Sequence, residues 1–145
     1  MPQHTTSTPR GLFSDITWPL VLGLGALALI RPLLRVTGIA DALAQGGPLV
    51  PVSTTVLITV SWVAAVLVAR VPRPFLTLVH TGVAYGVLAV ALSAVLSPIL
   101  DGRLQGPLTD PFALVMVLVL NAGWGAAAGG IALGIRGLTG GGVER

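Results

Sequence analysis

The sequence has no cysteine, no lysine and little charge of either sign. The missing cysteines exclude disulfides, thiolate chemistry and any cysteine-based metal site. All eight basic residues are arginines, which together with the Ala, Val and Gly bias suggests a GC-rich bacterial coding sequence. Charged residues make up 9% of the 145, far below the roughly 25% of a soluble domain. Hydrophobic residues make up 54%, and the mean hydropathy is +0.93. By composition this is a membrane protein, and what remains outside its apolar runs is too short for a sizeable soluble domain. Aromatics at 5% leave the packing to small and aliphatic side chains.

A pI near 11.2 would point to nucleic acid in a soluble chain, but here the arginines stand singly or in pairs beside apolar runs. That is the pattern of topology signals for a lipid bilayer. No nucleic-acid partner is expected.

Charge-free windows fall at residues 16–30, 42–69, 74–100 and 111–135. The last three exceed the ~20 residues that cross a ~30 Å hydrocarbon core. The predicted fold is all-α, a transmembrane four-helix bundle over residues 14–136, with spans near 15–31, 50–69, 75–97 and 112–135. A disordered polar tail (1–13) and a flexible C-terminal tail (137–145) flank it. Ser14 is the expected cap of the first span, with Asp15 in its first turn and Trp18 in the interfacial belt. Cleavage of that span as a signal peptide, at the "ALA" of residues 42–44, is disfavoured because the intervening stretch with Arg31 and Arg35 is too long and too basic. Four spans put both termini on one side. The cytoplasmic face then collects Arg10, Arg70, Arg73, Arg136 and Arg145 against Arg31, Arg35 and Arg103 outside, which predicts an inner-membrane protein with cytoplasmic termini.

The halves share short similarities: "RPLLR" at 31–35 with "SPILD" at 97–101, and "QGGPLVP" at 45–51 with "QGPLTDP" at 105–111. Two related hairpins in one orientation would be a parallel repeat of the kind some transporters use. Two placements of Arg31 follow. In one, Pro32 marks a helix exit and Arg31 lies at the outer boundary, with Leu33, Val36, Ala40, Leu43 and Ala44 forming a surface helix. In the other, the first helix starts at Pro19 and ends near Gly38, sinking Arg31 into the outer half with Arg35 one turn later. A buried arginine costs at least ~2.5 to 3.5 kcal/mol on insertion scales and requires a partner or a wet cavity.

Ser61, Tyr85 and Asn121 fall at the middle of the second, third and fourth spans, where they could meet in one polar layer. With Arg31 and Arg35 they are candidate contacts for an anionic solute or lipid headgroup. The plainer reading is that Ser and Asn only lock helices together, at ~0.6 kcal/mol each, while Tyr85 packs. No Asp or Glu lies inside the three well-defined spans, which disfavours a proton-coupled carrier. Ser61 and His80 differ in expected depth and make a poor dyad, so no enzymatic chemistry is expected. His4 and His80 are too far apart to share a metal, so neither metal nor cofactor is expected.

Helix packing is carried by small residues. The third span offers Gly82, Gly86, Ala89, Ser93 and Ser97 in a stripe; the fourth has "GAAAG" (Gly125 to Gly129) and "GIALG" (Gly130 to Gly134) on neighbouring faces. Two such faces exceed what one intramolecular neighbour needs, which points to a homo-oligomer or a membrane-protein partner.

The segments "RVPRPFLTLVHTGVAYGVLAVALSAVLSP" and "NAGWGAAAGG" resemble those of a family of small four-span integral membrane proteins of Gram-positive bacteria, itself uncharacterised. The resemblance covers most of the chain except its tails. It implies the four-span fold but brings no activity, ligand or catalytic residue. The expected function is that of a small polytopic inner-membrane protein without enzymatic chemistry, a homo-oligomer or complex subunit with a site or path for an anionic solute or lipid headgroup. The alternative is a scaffold or accessory subunit whose polar residues only fix helix packing.

Overall fold

The computed structural model describes residues 16–39 and 49–140. Among the described residues there are helices and no strands: α1 (Trp18–Ala28), α2 (Ile30–Val36), α3 (Leu49–Val68), α4 (Pro74–Asp101), a 3-10 turn (Pro107–Thr109) and α5 (Pro111–Gly140). Two of them, α4 and the stretch Pro111–Thr139 of α5, are long and apolar enough to cross a membrane. Trp18–Leu34 and Val52–Val68 are shorter apolar helices. The expected Ser14 cap, the N-terminal tail and Ala40, Leu43 and Ala44 lie outside the described residues.

Proline shapes the first helical path. Pro19 occupies the first turn of α1, where a missing N–H is harmless. Pro32 has no N–H for the carbonyl of Ala28, and its ring crowds that carbonyl. The helix yields just there: Leu29 N donates to Ala26 O at 3.0 Å, and the path resumes as α2. It ends at Thr37 and Gly38, the latter at φ +70. Pro32 is thus a kink inside the helical path rather than its exit, and Leu33 and Val36 belong to the same path. Pro98, its counterpart in the suspected repeat, also lies inside the last turn of its helix.

The α3–α4 turn closes by a Schellman motif. Arg70 takes the left-handed position (φ 48), Arg70 N donates to Leu67 O at 3.1 Å and Val71 N to Val66 O at 3.1 Å. The accompanying apolar contact is present, since Val71 and Val66 are both buried. At the opposite end, Gly102 caps α4 at φ 68. Ser97 Oγ lies 2.6 Å from the Ser93 carbonyl and 3.1 Å from that of Gln105, and accepts the Gln105 N–H at 3.2 Å, tying the loop under α4. Asp110 caps α5 through Phe112 N at 2.9 Å, with Pro111 as first helical residue.

The helices α4 and α5 form the most extensive contact, while α1 packs on α4, and α3 on α5 less closely. Glycines set the α4–α5 approach. A Cβ at Gly125 would collide with the Leu78 carbonyl oxygen, one at Gly82 with the Asn121 carbonyl oxygen, and one at Gly129 would lie 2.8 Å from Phe75 Cα. At Gly86 it would reach Leu118 Cδ2 at 3.2 Å. As numbers rise on α5 they fall on α4, so the pair is antiparallel. Gly130 and Gly134 face open space, with nothing within 4 Å of a Cβ.

The core sits toward the α3–α4 turn. Trp62, Val63 and Val66 of α3, Val71 of the turn, Leu78 of α4, and Ala128 and Ala132 of α5 bury one another there, joined by Leu24 and Ala28 of α1. The cavity opens beside this core and shares Ala28 and Trp62 with it.

Candidate functional site

Between α1, α2, α3, α4 and α5 lies a cavity of ≈ 250 Å³. Its polar lining is Arg31, Thr55, Trp62, Tyr85, Asn121 and Trp124, with Ala28, Ile58 and Leu120 completing the apolar side. Three of the five sequence-predicted contact residues, Arg31, Tyr85 and Asn121, therefore meet here. Ser61 does not. It is exposed, one residue and so about a hundred degrees of helix rotation away from buried Trp62. Arg35 follows Arg31 by one turn of α2, and its side chain lies outside the described residues.

Each wall is positioned by local structure. Gly82 and Gly86 let Asn121 lie flush on α4: its backbone rests on Gly82, and a Cβ at Gly86 would touch its Cβ at 3.5 Å. Asn121 Nδ2 donates to Val117 O at 2.7 Å, which fixes the side chain against its own helix. Gly25 does the same for Tyr85. A Cβ at Gly25 would approach Tyr85 N at 3.3 Å and Ala84 Cβ at 3.4 Å. Trp62 Nε1 donates to Leu24 O at 3.0 Å, clipping α3 to α1 beneath the cavity. Trp124 Nε1 donates to Thr59 Oγ1 at 3.1 Å, and Thr59 Oγ1 donates to Thr55 O at 2.8 Å, which ties α5 to α3 at its side.

Arg31 carries the cavity's one formal charge among the described residues. Of the described carboxylates, Asp101 borders a separate gap beside Pro32 and Val36, and Asp110 caps α5, so neither lines the cavity. Arg31 and Tyr85 line the same cavity from facing elements, α2 and α4. Guanidinium, phenol and carboxamide together are a donor set for an oxyanion, the planar fork of arginine matching carboxylate and phosphate oxygens.

His80 stands apart from this site. Its Nδ1 lies 2.7 Å from Leu76 O, so that nitrogen carries a proton, and its ring meets Trp18 edge-on with centroids 6.0 Å apart. Among the described residues no group of three or more His, Asp or Glu could hold a metal ion.

Lining and positioning residues that escaped the sequence reading include Gly25, Thr55, Thr59, Trp62 and Trp124. A signal for all of these but Gly25 was present. Trp124 follows Asn121 by three residues, and Thr55, Thr59 and Trp62 recur at spacings of four and three, each a single helix face. Gly25 is one of two glycines in "GLG", and nothing in the string distinguishes it from Gly23, which faces open space.

No family model matches the chain, and comparison with curated proteins and with solved structures finds no match. The site's meaning therefore rests on its own chemistry.

Proposed function

We propose that this chain is a four-span integral protein of the inner membrane, without enzymatic chemistry, that holds an anionic group at Arg31, the phosphate or carboxylate of a small solute or of a lipid headgroup. It works as a homo-oligomer or as a subunit of a larger membrane complex, with both termini in the cytoplasm. The exterior supports the membrane reading: only 17% of the most apolar stretch of α4 and of α5 is buried, whereas the core helix of a soluble protein is mostly covered. Large apolar side chains such as Leu57, Val95, Phe112 and Leu120 are exposed on α3, α4 and α5 alike.

The observation that carries the anion reading is the meeting of Arg31, Tyr85 and Asn121 in one cavity with no carboxylate among its described lining residues. Arg31 is exposed at the cavity's edge and lies, at ~1.5 Å per residue, roughly 7.5 Å along the helix before Val36, the end of α2. A guanidinium set among apolar helices calls for a counter-charge or water, and an anionic ligand supplies the first. The packed core toward the α3–α4 turn closes the cavity's inner end, which favours a binding site over a continuous path. Equilibrium dialysis of the reconstituted chain against inorganic phosphate tests the reading. Arg31→Gln should abolish binding while helix content is kept; equal binding by both proteins would refute it. Orientation is testable with single cysteines, because the chain has none of its own. A cysteine at Pro72 should label only from the cytoplasmic side and one at Arg103 only from outside.

A second reading, a scaffold or accessory subunit, is favoured by Gly130 and Gly134, which form a small-residue face with no neighbour within 4 Å among the described residues. Under it, Gly130→Ile breaks a complex that Arg31→Gln leaves whole.

A further inference from the structure

The cavity leads sideways out of the structure. Between α3 and α5 runs a groove of ≈ 500 Å³, and Arg31, Thr55 and Trp124 line both groove and cavity. The same two helices then leave a second groove of ≈ 330 Å³, which shares Thr59, Val60 and Ile131 with the first and ends at Leu67 and Ile135. A charged recess thus opens into one apolar trough. The trough has little polar capacity left, because the Thr59 hydroxyl already donates to Thr55 O and accepts from Trp124. From Thr55 to Leu67 it covers roughly 18 Å at ~1.5 Å per residue. One leaflet of a ~30 Å hydrocarbon core is about 15 Å deep, so trough and acyl chain are of like length.

We propose that the α3–α5 trough seats one acyl chain of an anionic lipid whose headgroup oxygens sit on Arg31. This deepens, and rests on, the reading of the cavity as an anion site. The assignment comes from continuity and charge. A small free anion would satisfy Arg31 and leave the trough empty; a zwitterionic lipid would fill the trough but bring a cationic amine, along with its phosphate, to the guanidinium. A single molecule with an oxyanion at one end of an aliphatic chain meets both. Trp124 stands where head meets chain, its N–H turned to Thr59 and its ring available as wall, a position that suits an amphipathic ring.

The trough also supplies its own reporter. The full chain with Trp18→Phe, which removes the indole remote from the site, is placed in lipid nanodiscs of phosphatidylcholine with a minor fraction of phosphatidylglycerol. Bromine atoms on the acyl chains of one lipid or the other quench nearby tryptophans. Brominated phosphatidylglycerol should occupy the site roughly tenfold more tightly than brominated phosphatidylcholine, the size of one charge-assisted contact. Arg31→Gln should erase that preference. Val60→Phe, which fills the trough but keeps Arg31, should reduce quenching by both lipids and leave binding of inorganic phosphate unchanged, so the result does not depend on Arg31→Gln folding well. Equal quenching by the two lipids, with inorganic phosphate still bound in an Arg31-dependent way, would overturn the acyl-chain proposal and leave the anion site standing. If neither lipid preference nor phosphate binding depends on Arg31, both fall. Quenching that survives Val60→Phe undiminished would place the chain elsewhere and overturn the assignment of the trough.

Discussion

Replacing individual glycines by alanine turns the helix contacts into a graded scale. A Gly→Ala change inside a helix gains about 0.5 to 1 kcal/mol from reduced chain entropy when the new methyl meets nothing. That case applies at Gly130 and Gly134, whose Cβ positions are open. At Gly82 and Gly125 the methyl would run into a backbone carbonyl oxygen of the facing helix, which cannot rotate aside as a side chain can. Forcing a methylene-sized group into a packed contact costs roughly 1 to 3 kcal/mol. After the entropic gain, a net loss of up to about 2.5 kcal/mol remains at these two positions. Gly25 lies between, since its Cβ would approach Tyr85 N at 3.3 Å and can be met by a small shift of α1. The same chemical change should therefore separate Gly125 from Gly130 by roughly 2 kcal/mol, about thirtyfold in an unfolding constant at ~1.4 kcal/mol per tenfold. Unfolding in mixed detergent micelles, followed by tryptophan fluorescence, measures it. Losses of equal size at Gly125 and Gly130, or a gain at Gly82, would mean that α4 and α5 do not meet along this line.

Two further substitutions probe the turn and the clip beneath the cavity. Arg70→Gly relieves a left-handed residue at the α3–α4 turn and should raise stability by about 0.4 to 1 kcal/mol, read as an upward shift in Tm in detergent. Trp62→Phe removes the donor to the Leu24 carbonyl while keeping an aromatic ring, and should cost roughly 0.6 kcal/mol and no more than about 1.7, the average and the maximum for interhelical hydrogen bonds in membranes. If its loss instead exceeds several kcal/mol, packing rather than the hydrogen bond governs that position.

Much of the fold was legible because its signals are local. The charge-free runs between arginines marked the apolar stretches that form α3, α4 and α5. The first helix was harder, since a proline reads equally as an exit or a kink, and only the resumed hydrogen bonding after Leu29 decides for the kink. Depth counting brought Tyr85 and Asn121 to one level but could not say which way a side chain turns, so Ser61 was counted with them although it points elsewhere. Trp62 and Trp124 were passed over because an indole reads first as bulk, and its N–H reveals a structural role only once a partner on another helix is known. Gly82 and Gly125 were visible as a spacing, whereas the carbonyls they face belong to a neighbour the spacing does not name.

The unequal sharing of contacts among the helices has a consequence for how the protein is assembled. Since α4 and α5 are sequence neighbours and hold each other most extensively, that hairpin can form first from short-range contacts. The N-terminal helices then dock onto a finished platform. α3 meets α5 far less than α4 does, so its place rests on a few discrete ties: the Trp62 and Trp124 hydrogen bonds and the core at its C-terminal end. The wall of the cavity is thus held by individual side chains, whereas the hairpin behind it is held along its whole length.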